Sequence, residues 1–202
     1  MNIDIDNDGL GAIYGAGQKV TLVRSVVSEP LASGNLPIAW LTFKPFQTNN
    51  VAWDENYSLY ATTTQLKGGA TIKMTSSTVT PAQTGVIYTL ENGFFTSERG
   101  GTADAFHGEN QQGDGISFGL AQEATVNNTK VSAPLNAVQV LKNQKVQFVP
   151  EEPVSIYLSS YSDNGVVISQ VASQALTVTL TSQSPEANIG FDNKTNTFFR
   201  KK

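Results

Sequence analysis

The sequence predicts an all-β domain, an antiparallel β-sandwich or flattened barrel of about ten strands with little helix. Three observations carry this. Apolar residues alternate with polar ones at period two along much of the chain, turn-forming residues separate the apolar runs at strand-like spacing, and no window of a dozen residues carries a 3.6-residue period. The 202 residues suit one domain spanning 1–202, with 39% hydrophobic residues to fill a core and only 15% charged residues to cover it. Ser, Thr, Asn and Gln must therefore make up most of the surface, and these residues suit sheet faces and turns.

Taken in order, residues 1–18 read as an N-terminal arm in which Ile and Asp alternate. Strands are expected over 19–27, 38–43, 57–65, 70–76, 86–90, 116–122, 137–141 and 146–149, because β-branched and aromatic residues dominate each run. Ser33-Gly34-Asn35, Lys67-Gly68-Gly69, Glu91-Asn92-Gly93 and Lys142-Asn143-Gln144 supply turns between them. Residues 154–170 read as a hairpin, since Asn164-Gly165 lies between two apolar runs and Asn-Gly is the preferred type I′ pair. The clearest strand is 175–181, where Leu176, Val178 and Leu180 alternate with threonines. A short helical turn is expected near 133–137. The stretch 96–115 has no pattern and reads as one long glycine-rich loop, the first place to look for a site. No internal repeat of 20 to 50 residues is evident.

Charge and composition exclude several functions. With a net charge of −4 and a pI near 5.0 there is no positive field for a phosphate backbone, so nucleic acid is not an expected partner. The basic run Arg200-Lys201-Lys202 reads as a solvated tail. The chain contains no Cys, which removes disulfides, thiolate metal sites and cysteine nucleophiles. No apolar run reaches the roughly 20 residues of a transmembrane helix, and Met1-Asn2-Ile3-Asp4 does not open a signal peptide. The expectation is a soluble protein, cytoplasmic or otherwise, that could form a homo-oligomer.

Catalytic signals are weak. Gly115-Ile116-Ser117-Phe118-Gly119 matches the nucleophile-elbow pattern by letter, but the single histidine, His107, precedes Ser117 and no helical pattern follows it. Glycines flanking a tightly packed strand explain the motif better. His107 beside Asp104, Glu109 or Asp114 could act as a general base, whereas a lone His in a polar stretch is ordinarily a surface residue. Asp54, Glu55, Glu91, Glu98, Asp104, Glu109 and Asp114 offer carboxylates for a glycosidase pair without fixing one. Asp4-Ile5-Asp6-Asn7-Asp8-Gly9 reproduces the opening of a calcium loop, so Asp4, Asp6 and Asp8 are candidate metal ligands, but the twelfth loop position is Gly15 instead of a bidentate Glu. The chain is therefore read as not an enzyme.

The aromatics are more informative. Trp40 and Phe43 lie in an apolar strand and read as core. Phe94, Phe95, Phe106 and Phe118 bracket the glycine-rich loop and suggest a water-excluded pocket for an apolar or conjugated small ligand, held without a covalent bond. Trp53 and Tyr57 flank Asp54-Glu55-Asn56, and Tyr157 and Tyr161 stand beside Ser155 and Ser159, as exposed rings would in a carbohydrate-binding lectin. A third reading is a defence or pore-forming β protein, because the Ser/Thr-rich segment 57–80 could re-pair as a membrane hairpin.

The stretches Trp53-Asp54-Glu55-Asn56-Tyr57-Ser58-Leu59-Tyr60 and Ser159-Ser160-Tyr161-Ser162-Asp163-Asn164-Gly165 resemble the soluble proteins of mushroom fruiting bodies. That loose group comprises lectins, defence toxins and the pink pigment-carrying chromoprotein type, which the chain resembles most. The resemblance implies a β-sandwich holding an apolar conjugated pigment without chemistry of its own, and it assigns no site residue.

Overall fold

The computed structural model describes residues 1–30, 36–78, 81–161 and 163–201. In chain order its elements are β1 (Asn2–Asp4), α1 (Asn7–Gly15), β2 (Lys19–Glu29), β3 (Ile38–Ala39), β4 (Leu41–Phe43), β5 (Thr48–Thr62), β6 (Ser76–Ser77), β7 (Val86–Glu91), β8 (Phe94–Arg99), β9 (Phe106–Asn110), β10 (Ser117–Val126), β11 (Thr129–Pro134), β12 (Val138–Gln139), β13 (Lys145–Ser159), β14 (Val166–Val167), β15 (Leu176–Thr179), β16 (Asn188–Asp192) and β17 (Thr197–Arg200). Strand accounts for 54% of the chain and helix for 5%, so the all-β expectation holds. The expected turn at Ser33-Gly34-Asn35, the end of the 57–80 segment, Ser162 and Lys202 lie outside the described residues.

Two sheets pack face to face as an open sandwich. Sheet one runs β11-β10-β5-β1-β16-β17, with β12 beside β10 and β6 beside β5; sheet two runs β4-β2-β13-β9-β7-β8, with β15 beside β13. Both are mixed instead of purely antiparallel, because β1 pairs parallel to β16 and β7 parallel to β9. The β7/β8 hairpin explains the second case. Asn92 and Gly93 both take positive φ, 51° and 84°, as a two-residue type I′ turn requires, and the chain then recrosses so that β9 joins the far edge of β7.

The centre of each sheet is a 15-residue strand, β5 in one and β13 in the other. The two share an almost identical order of buried and exposed positions. Each is also interrupted by a bulge at the same place. Asp54-Glu55-Asn56 of β5 lie opposite the single residue Glu123, and Glu151-Glu152-Pro153 of β13 lie opposite the single residue Ser25. Residues 48–62 and 145–159 are thus structural equivalents that place Glu55 with Glu152, Ser58 with Ser155 and Tyr60 with Tyr157. A bulge of this kind bends its strand and increases the local twist.

Several expectations need correction. Residues 154–170 are not a hairpin. One edge of β13 is taken by β2, and the other by β9 over Lys145–Phe148 and by β15 over Pro153–Ile156, so the strand that follows residue 153 pairs with β2 and β15 and not with Val166-Val167. These instead pair with Ile38-Ala39 in a separate ribbon. Asn164 does not take positive φ, although Gly165 does. The Asn164 side chain accepts from the Thr42 amide at 2.6 Å. The segment 70–76 is largely irregular, with one bridge from Thr71 to Val166, and residues 133–137 hold no helical turn. Nor is 96–115 one loop: its first residues complete β8, and β9 lies in its middle.

The N-terminal segment is not a free arm. Within sheet one β1 sits between β5 and β16, and Ile3, Ile5 and Ile13 are buried. Asp6 caps α1 by accepting from the Gly9 amide at 2.7 Å, the stabilising role of a short acidic side chain at a helix start. The β3–β14 ribbon leans on both sheets. Ile38 and Val167 pack with Tyr60 of β5, while Ala39 and Val166 pack with Tyr157 of β13.

Candidate binding cleft

The inward positions of β2 are Val20, Leu22, Arg24 and Val26, all buried, so the alternation that carries aliphatic residues into the core also carries a guanidinium there. On β10 the same alternation runs through Phe118, Leu120, Gln122, Ala124 and Val126. Arg24 and Gln122 adjoin the bulges of their respective sheets, and they meet between the sheets, where Arg24 Nη1 donates to Gln122 Oε1 at 2.6 Å. Each also satisfies the carbonyl of the first bulge residue in its own sheet. Arg24 Nη2 donates to the Glu151 oxygen at 3.1 Å, and Gln122 Nε2 donates to the Asp54 oxygen at 2.8 Å. The two side chains form a clasp across the sandwich.

Three rings surround the buried cation. The Arg24 guanidinium carbon lies 5.8 Å from the ring centres of Trp40 and Trp53 and 5.9 Å from that of Tyr57, within the range of cation–π attraction. Trp40 and Trp53 meet edge to face at 5.4 Å. Glu55, whose side chain is 64% exposed, faces Arg24 at 3.4 Å. Its carboxylate also accepts from Trp53 Nε1 at 3.2 Å and from the Tyr57 hydroxyl. Burial, followed by the hydrogen bond to Glu55, pushes the Tyr57 phenol above its ordinary range. Trp53 is held by an arginine, a second tryptophan and a carboxylate, which leaves its indole little rotational freedom.

Two clefts adjoin this tryptophan and share Ala52 and Trp53 in their walls. The wider, of about 660 Å³, opens between the bulges, with Val51, Leu180 and Pro185 as apolar wall and Glu55, Glu152 and Glu186 among its polar groups. Asn2 and Asn50 continue its edge and belong to an amide ladder across three strands: Asn50 donates to Asn2 at 2.9 Å and Asn2 to Asn188 at 3.1 Å. The narrower groove, of about 330 Å³, is lined by Asp54, Asn56, Ser58, Glu123, Thr125 and Ser132.

The other sequence candidates lie elsewhere. Phe118 is fully buried, Phe106 is buried against Tyr57 with ring centres 5.4 Å apart, Phe95 is half-buried against Phe118 at 5.8 Å, and Phe94 is 76% exposed at the β8 edge. The four do not converge on a common pocket, because two are core residues and one points to solvent. Tyr157 is buried in the small core under the ribbon, with Tyr161 half-buried beside it, so the pair is not an exposed platform. Trp53 borders both clefts while still half-exposed, whereas Tyr57 lines only the narrower one and is buried.

Ser117 is buried at the start of β10 between Thr62 and Gln139, and His107 belongs to the opposite sheet, where its Nε2 lies 3.1 Å from the Thr102 oxygen. The calcium-like motif is divided among other tasks. Asp4 bonds Lys201 at 2.8 Å, an interaction that holds its carboxyl below the usual range, Asp6 caps α1, and Asp8 stands in its first turn. Among the described residues no group of three or more His, Asp or Glu side chains could hold a metal ion. No helix among them is long and apolar enough to cross a membrane. Tyr57–Thr62 of the proposed membrane hairpin occupy the middle of sheet one, with Tyr57, Leu59, Tyr60 and Ala61 buried.

Sequence reasoning missed Arg24 and Gln122, yet both interrupt an otherwise apolar inward alternation, and that interruption was visible in the letters. Comparison of the chain with known protein families, characterised proteins and solved structures returned no match.

Proposed function

We propose that the protein is a non-catalytic binding protein that takes a carbohydrate chain along the two clefts joined at Trp53. The observation that carries this reading is a tryptophan fixed from behind by Arg24, Trp40 and Glu55 and bordered on both sides by carboxylates, amides and hydroxyls. A rigid indole offers the apolar face of a sugar ring a surface that loses little entropy on binding, while Asp54, Asn56 and Glu152 can accept from hydroxyls. Because Trp53 is shared by two clefts, a chain of several sugars fits better than a single residue.

The test is titration of the protein with oligosaccharides of β-glucan, chitin and galactoside type, from one to six units, following tryptophan emission and heat. Affinity is expected to rise with chain length, and Trp53→Ala is expected to weaken it at least tenfold, since stacking and burial of one ring are together worth about 2 kcal/mol or more. A Trp53→Ala variant that binds like wild type would overturn the assignment.

A second reading is supported by Val51, Leu180 and Pro185 in the wider cleft. An apolar or conjugated ligand, such as the pigment implied by the fruiting-body resemblance, would lie against that wall instead of the dispersed phenylalanines. A visible absorption band and an intact-mass excess in native protein, both lost with Leu180→Asp, would favour it over the glycan.

A further inference from the structure

We infer that Arg24 and Gln122 are positioning residues for the Trp53 clefts, a clasp that sets how far the two bulged strands stand apart and how the indole is presented. The inference rests on reading these clefts as the binding site. Neither residue lines the clefts, so any effect they have on a ligand passes through the groups they hold.

The strands would pack more simply with aliphatic residues at both positions, because a buried arginine and a buried amide each lose hydration that only good partners restore. Here the partners are the bulges themselves. The carbonyls of Asp54 and Glu151 point away from regular ladder partners, and each receives a side-chain donor from across its own bulge, while the Arg24–Gln122 bond at 2.6 Å fixes the distance between them. The Arg24 guanidinium also faces Glu55 and the ring of Trp53. The same fork therefore fixes the bulge of β5, the bulge of β13 and the aromatic wall. Gln122 further accepts from Trp40 Nε1 through its main-chain oxygen at 3.4 Å, so both tryptophans of the chain report on one place.

That coincidence makes the test direct. In a Trp40→Phe background Trp53 is the sole source of indole emission. Acrylamide quenching, affinity for whichever oligosaccharide wild type binds, and far-UV circular dichroism would be compared for wild type, Arg24→Met, Arg24→Lys and Gln122→Met. Arg24→Met and Gln122→Met are expected to keep the β spectrum, to raise the quenching constant of Trp53 at least twofold and to weaken the oligosaccharide at least tenfold. Lysine restores charge without the two-pronged geometry and should recover less than half of the lost affinity. The double variant should lose little more than either single one, because the residues act as a unit.

If Arg24→Met does not fold, Gln122→Met, which leaves Arg24 bonded to Glu151 and Glu55, carries the comparison. Folded variants with wild-type quenching and wild-type affinity overturn the clasp. A wild-type protein that binds no oligosaccharide overturns the glycan reading instead, and the quenching comparison then decides the clasp by itself.

Discussion

At the scale of single residues, Gly119 shows the tight packing that the sequence suggested for a motif spelled like a nucleophile elbow. A Cβ built on it would lie 2.0 Å from the Asn136 carbonyl oxygen and 2.8 Å from the Tyr60 ring, and that carbonyl accepts from the Tyr60 hydroxyl at 2.5 Å. Gly115, at the other end of the motif, takes φ +75° in the turn before β10. Both glycines of Gly115-Ile116-Ser117-Phe118-Gly119 are therefore required by the entry and packing of a strand. Gly119→Ala has no room to relax, because the obstructing atom is main chain. It is expected to destabilise by about 2 kcal/mol or more, in the range of overpacking, read as a lower denaturant midpoint at unchanged slope. An unaltered midpoint would mean that β10 and the 136 turn are not in contact. Arg24 is the complementary case: the period-two pattern marked it as inward, but its consequence depends on Gln122, which is 98 positions away in the chain.

At the scale of elements, long alternating runs were legible and short or twice-paired ones were not. In the run 175–181 the alternation holds, with Val178 buried against Val154, Leu176 and Leu180 half-buried against the core and Thr177 and Thr179 exposed, although the strand itself covers only Leu176–Thr179. Val178→Asp is expected to unfold the protein or lower its stability by several kcal/mol, since a lone carboxylate in the core has no partner. A variant melting with wild type would show β15 to be detached. The edge strands β8 and β17 escaped notice because each puts two adjacent phenylalanines, Phe94-Phe95 and Phe198-Phe199, on opposite faces, so no period-two alternation shows. The α1 helix escaped because nine residues give barely two and a half turns of pattern. Its Asp6 cap was visible but competed with the calcium-loop spelling. Asp6→Ala should cost about 1 kcal/mol, measured by thermal or denaturant unfolding, and calcium added to wild type should not raise its midpoint; a rise in wild type that Asp6→Ala abolishes would return these aspartates to a metal-binding role. The central strands were hidden differently. Asp54-Glu55 with Ser58-Leu59-Tyr60 and Glu151-Glu152 with Ser155-Ile156-Tyr157 are matching spellings, but a kinship confined to one strand is too short to stand out as a repeat.

At the scale of the molecule, that correspondence distributes tyrosines so that the protein's response to alkali reports on its cohesion. Tyr57 lies in the main core, Tyr60 in the small core under one side of the ribbon and Tyr157 in the small core under the other. In all three, desolvation is the largest influence and raises the phenol above its ordinary value; Glu55 adds to this at Tyr57 and Tyr161 at Tyr157. The folded chain thus holds these protons to higher pH than the unfolded chain, whose tyrosines release them near pH ~10. Since the unfolded state binds fewer protons there, stability is intact below about pH 10 and falls as pH rises toward the folded values. If the three cores melt as one unit, the tyrosinate absorbance of these residues should appear together with the loss of the far-UV β signal, in one steep transition. Tyr60→Phe and Tyr157→Phe should each reduce the amplitude of that transition without dividing it. If either variant instead removes a separate earlier step, while the β signal of the rest persists, the ribbon side of the sandwich opens independently and the two sheets are joined chiefly through the core that contains Arg24 and Gln122.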